Sequence, residues 1–440
     1  KLCPQGIFMR GSYEHYREAS ARVRAVLETV TPIVQMASID EGYLDLGPRR
    51  PILSLSLARP DDEASTRALL LDSRHKSASV KAPPFFSNLL PEGGLRRTIA
   101  QRLKVHEDRE FLLLRALGRD LPGAVITTLA ESRLRGRPGG TSAAAPMPHD
   151  DEQNDMLHEL KFSLAGMQMK FSMLRQGERL TLAGQQALGN YLVKPPSRDF
   201  EALPMVEAAT MQVAQDAGIE IPEIRLVPAS QIDGLPDLEA FDTGEPFYAI
   251  SRFDRSVSAA EEARIHIEDF AQVFNLRAQQ KYGQVNHEMI GRTLLRYAGG
   301  LADLREMARR MVFNVLMGNG DAHIKNWSLI YRDPTRPQLA PAYDLVPTVA
   351  YMSRDPSLAL NMAGVKRFAD ITLDTFAAFL ARVGIADQVL DSVMAEMRLA
   401  GQQVLQVWRD RFHAAQVPLR LIRRIEEHQA ALPLAAMLRG

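Results

Sequence analysis

An apolar run with helical spacing, MVFNVLM at 311–317, is broken by Gly318-Asn319-Gly320-Asp321-Ala322-His323-Ile324-Lys325-Asn326-Trp327-Ser328. The glycines permit a tight turn that exposes the polar residues after them. Two short strand-like runs follow, at 329–331 and 338–340, and deliver Pro341-Ala342-Tyr343-Asp344. A fold that suits this order runs helix, exposed turn and hairpin in succession. Upstream, the runs around 162–174, 189–196, 224–228 and 247–255 read as strands, with a helix over 204–217 between them. From Glu268 on the pattern is mainly helical, over 286–298, 304–317, 372–383, 387–412 and 419–429. A strand-rich segment followed by a helix-rich one predicts an α+β fold of two lobes with any site in the cleft between them.

Two lobes need length and apolar side chains, and 440 residues at 46% hydrophobic and 24% charged supply both. That composition excludes a disordered or fibrous chain. Lys plus Arg (53) balance Asp plus Glu (53), so no global field draws the molecule to nucleic acid or an anionic membrane. Cys3 is the single cysteine, which excludes an internal disulfide and a cysteine-rich zinc site and fits a reducing, cytoplasmic setting. No apolar stretch reaches about 18 residues, so no membrane span is expected. Two breaks punctuate the chain: Gly47-Pro48-Arg49-Arg50-Pro51, and a longer Gly-, Pro-, Ala- and acid-rich stretch from Arg133 to Asp155 that reads as a linker. Before the first break, 13–30 is helical in spacing and 33–46 strand-like; between the breaks, 52–57 alternates as a strand and 85–117 is mostly helical.

Asp321 and Asn326 are spaced D-x-x-x-x-N. In a protein-kinase catalytic loop this spacing lets an aspartate take a hydroxyl proton while an asparagine holds a metal ion. Asp344 lies where such enzymes put a second metal ligand, and Mg²⁺ needs only one or two carboxylates besides substrate phosphates. Taken singly, Asp and Asn in a glycine turn are turn formers, and His323 alone reads as a structural histidine. The order is what points to chemistry. Ser163-Leu164-Ala165-Gly166-Met167-Gln168-Met169-Lys170 is a short loop suited to presenting backbone N–H groups to phosphates, or is a plain hairpin. Lys194 closes a strand-like YLVK, the place of a phosphate-pairing lysine, and Glu207 on the next helix is its candidate partner. Their bland alternatives are a solvated strand end and a solvated helix face. Ile250-Ser251-Arg252-Phe253-Asp254 lies where strands give way to helices and is a candidate adenine-contacting hinge.

From about Pro51 onward the chain resembles the HipA-type serine/threonine kinases, toxins of bacterial toxin–antitoxin pairs. The resemblance is carried by LSLSL (53–57), FFSNLLPEG (85–93), GRDLPGAV (118–125), FSLAGMQMK (162–170), SRFDR (251–255), EDFAQ (268–272), GNGDAHIKNWSL (318–329) and PAYDLVPT (341–348). It implies a two-lobed protein-kinase-like fold with a strand-rich N-terminal lobe and an all-helical C-terminal lobe. It also implies that Asp321 is the base, that Asn326 and Asp344 hold Mg²⁺, and that Lys194 meets ATP phosphates. Ala165, Gly166, Met167, Gln168, Met169, Lys170, Ser251, Arg252, Phe253, His323, Lys325 and Asn326 would line the ATP site, and Ser163 would be an autophosphorylation site. The implied partners are a HipB-type helix-turn-helix antitoxin, which would carry the complex to DNA, and an aminoacyl-tRNA synthetase substrate such as glutamyl-tRNA synthetase. One departure stands out: the family's loop reads close to A-G-A-Q-E-K, and Met167 and Met169 replace its small and acidic residues. A small-molecule kinase and a degenerate, non-catalytic binding module are the alternative readings.

The first 47 residues do not fit that family. CPQGIFMRGSYEHYREASARVRAVLETVTP followed by ASIDEGYLDLG resembles part of the palm of a Y-family, DinB-type DNA polymerase, in which Asp40 and Glu41 would be metal-binding carboxylates. The further carboxylate, fingers, thumb and DNA-binding domain of such an enzyme are not recognisable here, so the segment reads as a remnant. One expectation is that residues 36–46 pair onto the kinase's N-terminal sheet. The expected organisation is a polymerase-like remnant (1–47), a HipA N-terminal subdomain (48–132), a linker (133–158), a kinase N-lobe with the ATP loop (159–255) and a C-lobe with the catalytic loop (256–440).

Overall fold

The computed structural model describes the backbone of residues 34–36 and 42–44, and residues 81–127, 169–182, 188–235, 244–256, 264–333, 336–352 and 356–440. Strands β1 (Val34–Met36) and β2 (Gly42–Leu44) pair antiparallel with each other. Among the described residues neither joins another sheet, so the expected pairing onto the N-terminal sheet is not found there. Asp40, Glu41 and residues 52–57 lie outside the described residues.

Three short helices come next: α1 (Pro84–Ser87), α2 (Gly93–Arg102) and α3 (Glu110–Leu117). They resolve the mostly helical reading of 85–117 into pieces. The N-lobe sheet contains β3 (Phe171–Gln176), β4 (Arg179–Leu182), β5 (Tyr191–Lys194), β6 (Ile224–Val227), β7 (Ile232–Asp233) and β8 (Phe247–Ser251), in the order β6-β8-β5-β3-β4-β7. Helix α4 (Leu203–Asp216) connects β5 to β6. Side chains of a strand alternate between faces, and β8 shows the result. Phe247 and Ala249 enter a core with Phe85, Leu89, Ile99 and Leu113 of the first three helices. Tyr248 and Ile250 enter the other core, with α4 and the C-terminal lobe. The central strand is buried on both faces, which is why FYAIS is almost uninterruptedly apolar.

The C-terminal lobe is not all-helical, which corrects the expectation. Strands β9 (His266–Asp269), β10 (Ser328–Asp333) and β11 (Arg336–Leu339) form a sheet, and β12 (Ser357–Met362) with β13 (Val365–Arg367) forms a hairpin. Around them lie α5 (Phe270–Val273), α6 (His287–Tyr297), α7 (Leu301–Met317), α8 (Leu373–Val383), α9 (Asp387–Ala414), α10 (Leu419–Ala430) and α11 (Pro433–Arg439). The bounds of α6 to α10 fall within about three residues of the periodicity in the sequence, because each buries a clear apolar stripe, while α5 and α11 are not singled out by it. No helix among the described residues is long and apolar enough to cross a membrane. Helix α7 ends where Gly318 takes the left-handed conformation (φ +66°), the usual glycine cap. A Cβ there would sit 2.4 Å from a Val349 methyl, so the turn that follows needs this glycine.

At the start of α6, His287 is buried, edge-on to Trp327 (ring centroids 6.1 Å apart), with Nδ1 donating to the Asn361 carbonyl at 3.1 Å. Burial pushes its pKa down to about 4 from an ordinary 6.5. The folded state therefore holds the ring neutral while the unfolded chain takes up a proton below about pH 6.5. Stability from this residue is complete above that pH and is lost as pH falls toward 4, by about 3 kcal/mol in all. Urea midpoints should fall over this window in the parent and fall less in His287→Asn; parallel slopes would refute the assignment.

Candidate active site

Lys194 ends β5 and points into the cleft between the lobes. Its Nζ donates to Glu207 Oε2 at 2.8 Å and ion-pairs with Asp344. Helix α4 brings Glu207 there because its Ala-, Val- and Met-rich face is packed into the core, carrying the carboxylate down with it. Asp344 comes from beyond the β10–β11 hairpin and adopts φ +58°, a left-handed conformation that costs a non-glycine residue energy and is commonest at functional sites. Burial alone would raise the Asp344 pKa, but Lys194 and Lys170 outweigh it and hold the carboxyl well below the usual range. Burial would likewise depress Lys194, yet Asp344 and Glu207 keep it firmly protonated. Lys170, also buried, is pushed below the ordinary lysine value chiefly by desolvation.

The turn after α7 supplies the other wall. Asn319 Oδ1 accepts from the Asp321 N–H at 3.1 Å, and Thr348 Oγ1 accepts from Gly320 N–H at 2.8 Å, fixing the turn from within. Asn326 Nδ2 donates to the Asp321 carbonyl at 2.8 Å, so the D-x-x-x-x-N spacing closes on itself. The Asp321 carboxylate is exposed and accepts from Tyr282 Oη at 2.7 Å. His323 is buried beside Tyr282, and desolvation together with Lys281 lowers its pKa.

Lys325 reaches away from the turn. Its Nζ meets Asn88 Oδ1 (2.9 Å), the Asn88 carbonyl (3.1 Å), Asp269 Oδ2 (3.0 Å) and Glu92 Oε1 (3.4 Å). This buried cation braces the turn against the FFSNLLPEG segment and β9. Arg252 is similarly committed: its guanidinium binds Asp254 through two nitrogens (3.0 and 2.8 Å), Asp120 (2.8 Å) and Ser172 (3.0 Å). Phe253, next to it, faces Tyr343 with ring centroids 5.6 Å apart.

These groups line a single cavity of about 1080 Å³. Met169, Lys170, Lys194, Glu207, Ser251, Arg252, Phe253, Asp321, His323, Lys325, Asn326 and Asp344 all contribute to its wall. Ser163, Ala165, Gly166, Met167 and Gln168 lie outside the described residues. Sequence reasoning singled out neither Tyr282 nor Asn319, and it saw Asn88, Glu92 and Asp269 only as letters in motifs. Asp344 and Asn326 offer hard oxygen donors of the kind Mg²⁺ prefers, and the carboxylate is ionised. Among the described residues no group of three or more His, Cys, Asp or Glu is arranged to hold a metal.

Residues 162–405 match the HipA-like C-terminal domain, and residues 36–128 match the HipA N-terminal domain. The protein named "Putative kinase Y4dM" of Sinorhizobium fredii is 40% identical over 359 residues, covering 80% of this chain and 81% of that protein. A solved structure of the Shewanella oneidensis toxin–antitoxin system HipA, HipB and its operator DNA aligns with a TM-score of 0.58 at 21% identity, covering 81% of this chain and 87% of that one. A separate short match, 50% identical over 46 residues, is to DNA polymerase IV of Oceanobacillus iheyensis and covers 10% of this chain and 11% of that protein.

Proposed function

Because the chain belongs to the HipA family, we propose that it is an ATP- and Mg²⁺-dependent serine/threonine protein kinase in which Asp321 accepts the proton of the acceptor hydroxyl. The observation that carries this reading is the convergence of the Lys194–Glu207 pair, Asp344, Asp321 and Asn326 on one cavity. Lys194 would hold the nucleotide phosphates, with Glu207 fixing the direction of its ammonium group. Asp344 and Asn326 would hold Mg²⁺, which supplies charge neutralisation at the phosphoryl oxygens when bound. The hydroxyl oxygen gains the bond to the γ-phosphorus, the bond from that phosphorus to the β-bridging oxygen breaks, ADP leaves, and the hydroxyl proton goes to Asp321. The aromatic pair Phe253 and Tyr343 offers an apolar wall for the base of the nucleotide.

The finer reading is a cytoplasmic toxin that pairs with a HipB-type antitoxin and reaches DNA through it. The toxin–antitoxin complex of the solved relative supports that partner. The HipA resemblance supports an aminoacyl-tRNA synthetase, such as the glutamyl enzyme, as substrate. Ser163 is its candidate for self-modification.

Purified protein incubated with labelled ATP and Mg²⁺ should transfer phosphate to itself or to a synthetase. Asp321→Gln should lower that transfer by about 10²–10⁴-fold, the usual contribution of a positioned base. Its melting temperature should hardly move, since the carboxylate is exposed. Full activity in Asp321→Gln would overturn the role given to Asp321.

A further inference from the structure

We infer that Tyr282 is the positioning residue of the Asp321 carboxylate, holding one oxygen so that the other is presented to the acceptor hydroxyl. The inference rests on the kinase reading above and adds to it a residue 39 positions away in sequence.

Asp321 sits on an exposed turn, where an aspartate side chain moves among rotamers on the picosecond-to-nanosecond scale. A base that wanders spends little time in line with its substrate, and small misplacements of reacting groups are costly in rate. The backbone of Asp321 is well held, through Asn319, His323 and Asn326. Its carboxylate is held, among the described residues, by the Tyr282 hydroxyl at 2.7 Å. A carboxylate offers about four acceptor positions on two oxygens, so one hydrogen bond on Oδ1 leaves Oδ2 available.

Tyr282 is itself built to stay in place while its hydroxyl faces solvent. Its ring stands edge-on to the buried His323 at 5.4 Å and 72°, and the Lys281 ammonium lies 5.5 Å from the ring centroid. Lys281 in turn pairs with Glu92 at 3.5 Å, on the same helix start that braces Lys325. The turn carrying the tyrosine and the turn carrying the base are thus tied to one anchor. Partial burial and the hydrogen bond to Asp321 keep the phenol protonated, well above the usual tyrosine range, so it remains a donor at every working pH.

Tyr282→Phe removes the hydroxyl and keeps the ring against His323. Steady-state kinetics with ATP and a protein acceptor, run on the parent, Tyr282→Phe and Asp321→Gln, test the inference. The expected result is a kcat lower by about tenfold in Tyr282→Phe, a fraction of what a positioned base contributes. The KM for ATP and the melting temperature should stay at parent values, because the lost contact touches neither the nucleotide wall nor the core. An unchanged kcat would overturn the inference. A raised kcat would overturn it too, and would mark the hydroxyl as an obstacle in the acceptor's place. A fall in kcat accompanied by a lower melting temperature would show a structural role instead. If the parent itself transfers no phosphate, the kinase reading fails, and that failure is visible apart from any effect of Tyr282.

Discussion

Asp344→Asn should lower phosphoryl transfer by at least about a hundredfold and leave the protein folded. The substitution is nearly isosteric, and asparagine tolerates the left-handed φ of +58° better than other non-glycine residues, so the backbone keeps its course. Alanine would confound charge with strain. What disappears is one negative charge between two buried ammonium groups, Lys194 and Lys170. Lys194 retains Glu207 at 2.8 Å and remains paired. Lys170 loses the neighbour that most favours its charged form, and burial already pushes its pKa down, so it sheds its proton more readily. The stability cost should be about 1–3 kcal/mol, that of a charged hydrogen bond, against a marginal total of about 5–15 kcal/mol. Turnover and thermal melting of the variant measure the two effects separately. Turnover at the parent rate would remove Asp344 from the phosphate machinery, however well placed it is.

Much of this arrangement could be read before any fold was known, and the parts that could not share a physical reason. Asp321 and Asn326 are five residues apart, so spacing alone singles both out, although the hydrogen bond from Asn326 to the Asp321 carbonyl is not part of that reading. Helices α6 to α10 each bury a periodic stripe, and periodicity gave their bounds. The six residues of β12 and the four of β9 carry too little pattern to separate a strand from the helices around them, whereas the β10–β11 hairpin was legible at 329–331 and 338–340. Tyr282 stands in QQKYGQ, a polar turn with no motif, and its meaning comes from a partner 39 residues away. Lys325 was placed among ATP-lining residues because it lies between His323 and Asn326. It does line the cavity, but its ammonium group is held by Asn88, Glu92 and Asp269, three residues from two distant segments. Such long-range braces leave recognisable letters in a sequence and no sign of what they hold.

The largest effect on stability is expected at Asp254, in the segment that follows β8. Asp254 is buried and accepts from Arg252 (3.0 and 2.8 Å), from Arg255 (2.9 Å) and from the Gly123 N–H (2.7 Å). Asp120 takes the remaining arms of both arginines, at 2.8 and 2.9 Å. Burial would raise the Asp254 pKa, but Arg252 and Arg255 more than offset it and hold the carboxyl at about 2. A folded value below the unfolded one means that this contribution is present above about pH 4 and is lost as the pH falls through about 2. Removing the carboxylate leaves two buried guanidinium groups sharing Asp120, and breaking a buried ion pair from one side costs about 3–5 kcal/mol. Asp254→Ala should therefore lower the melting temperature by about 5–10 °C at neutral pH. It should also loosen residues 118–125, which the two arginines pin through the Leu121 and Gly123 carbonyls. Because Arg252, Phe253 and Asp254 all line the cavity, the same variant should weaken nucleotide binding without touching Asp321 or Asp344. A normal melt in Asp254→Ala would mean that Asp120 alone neutralises both arginines, and residues 251–255 would then owe their position to the apolar packing of β8.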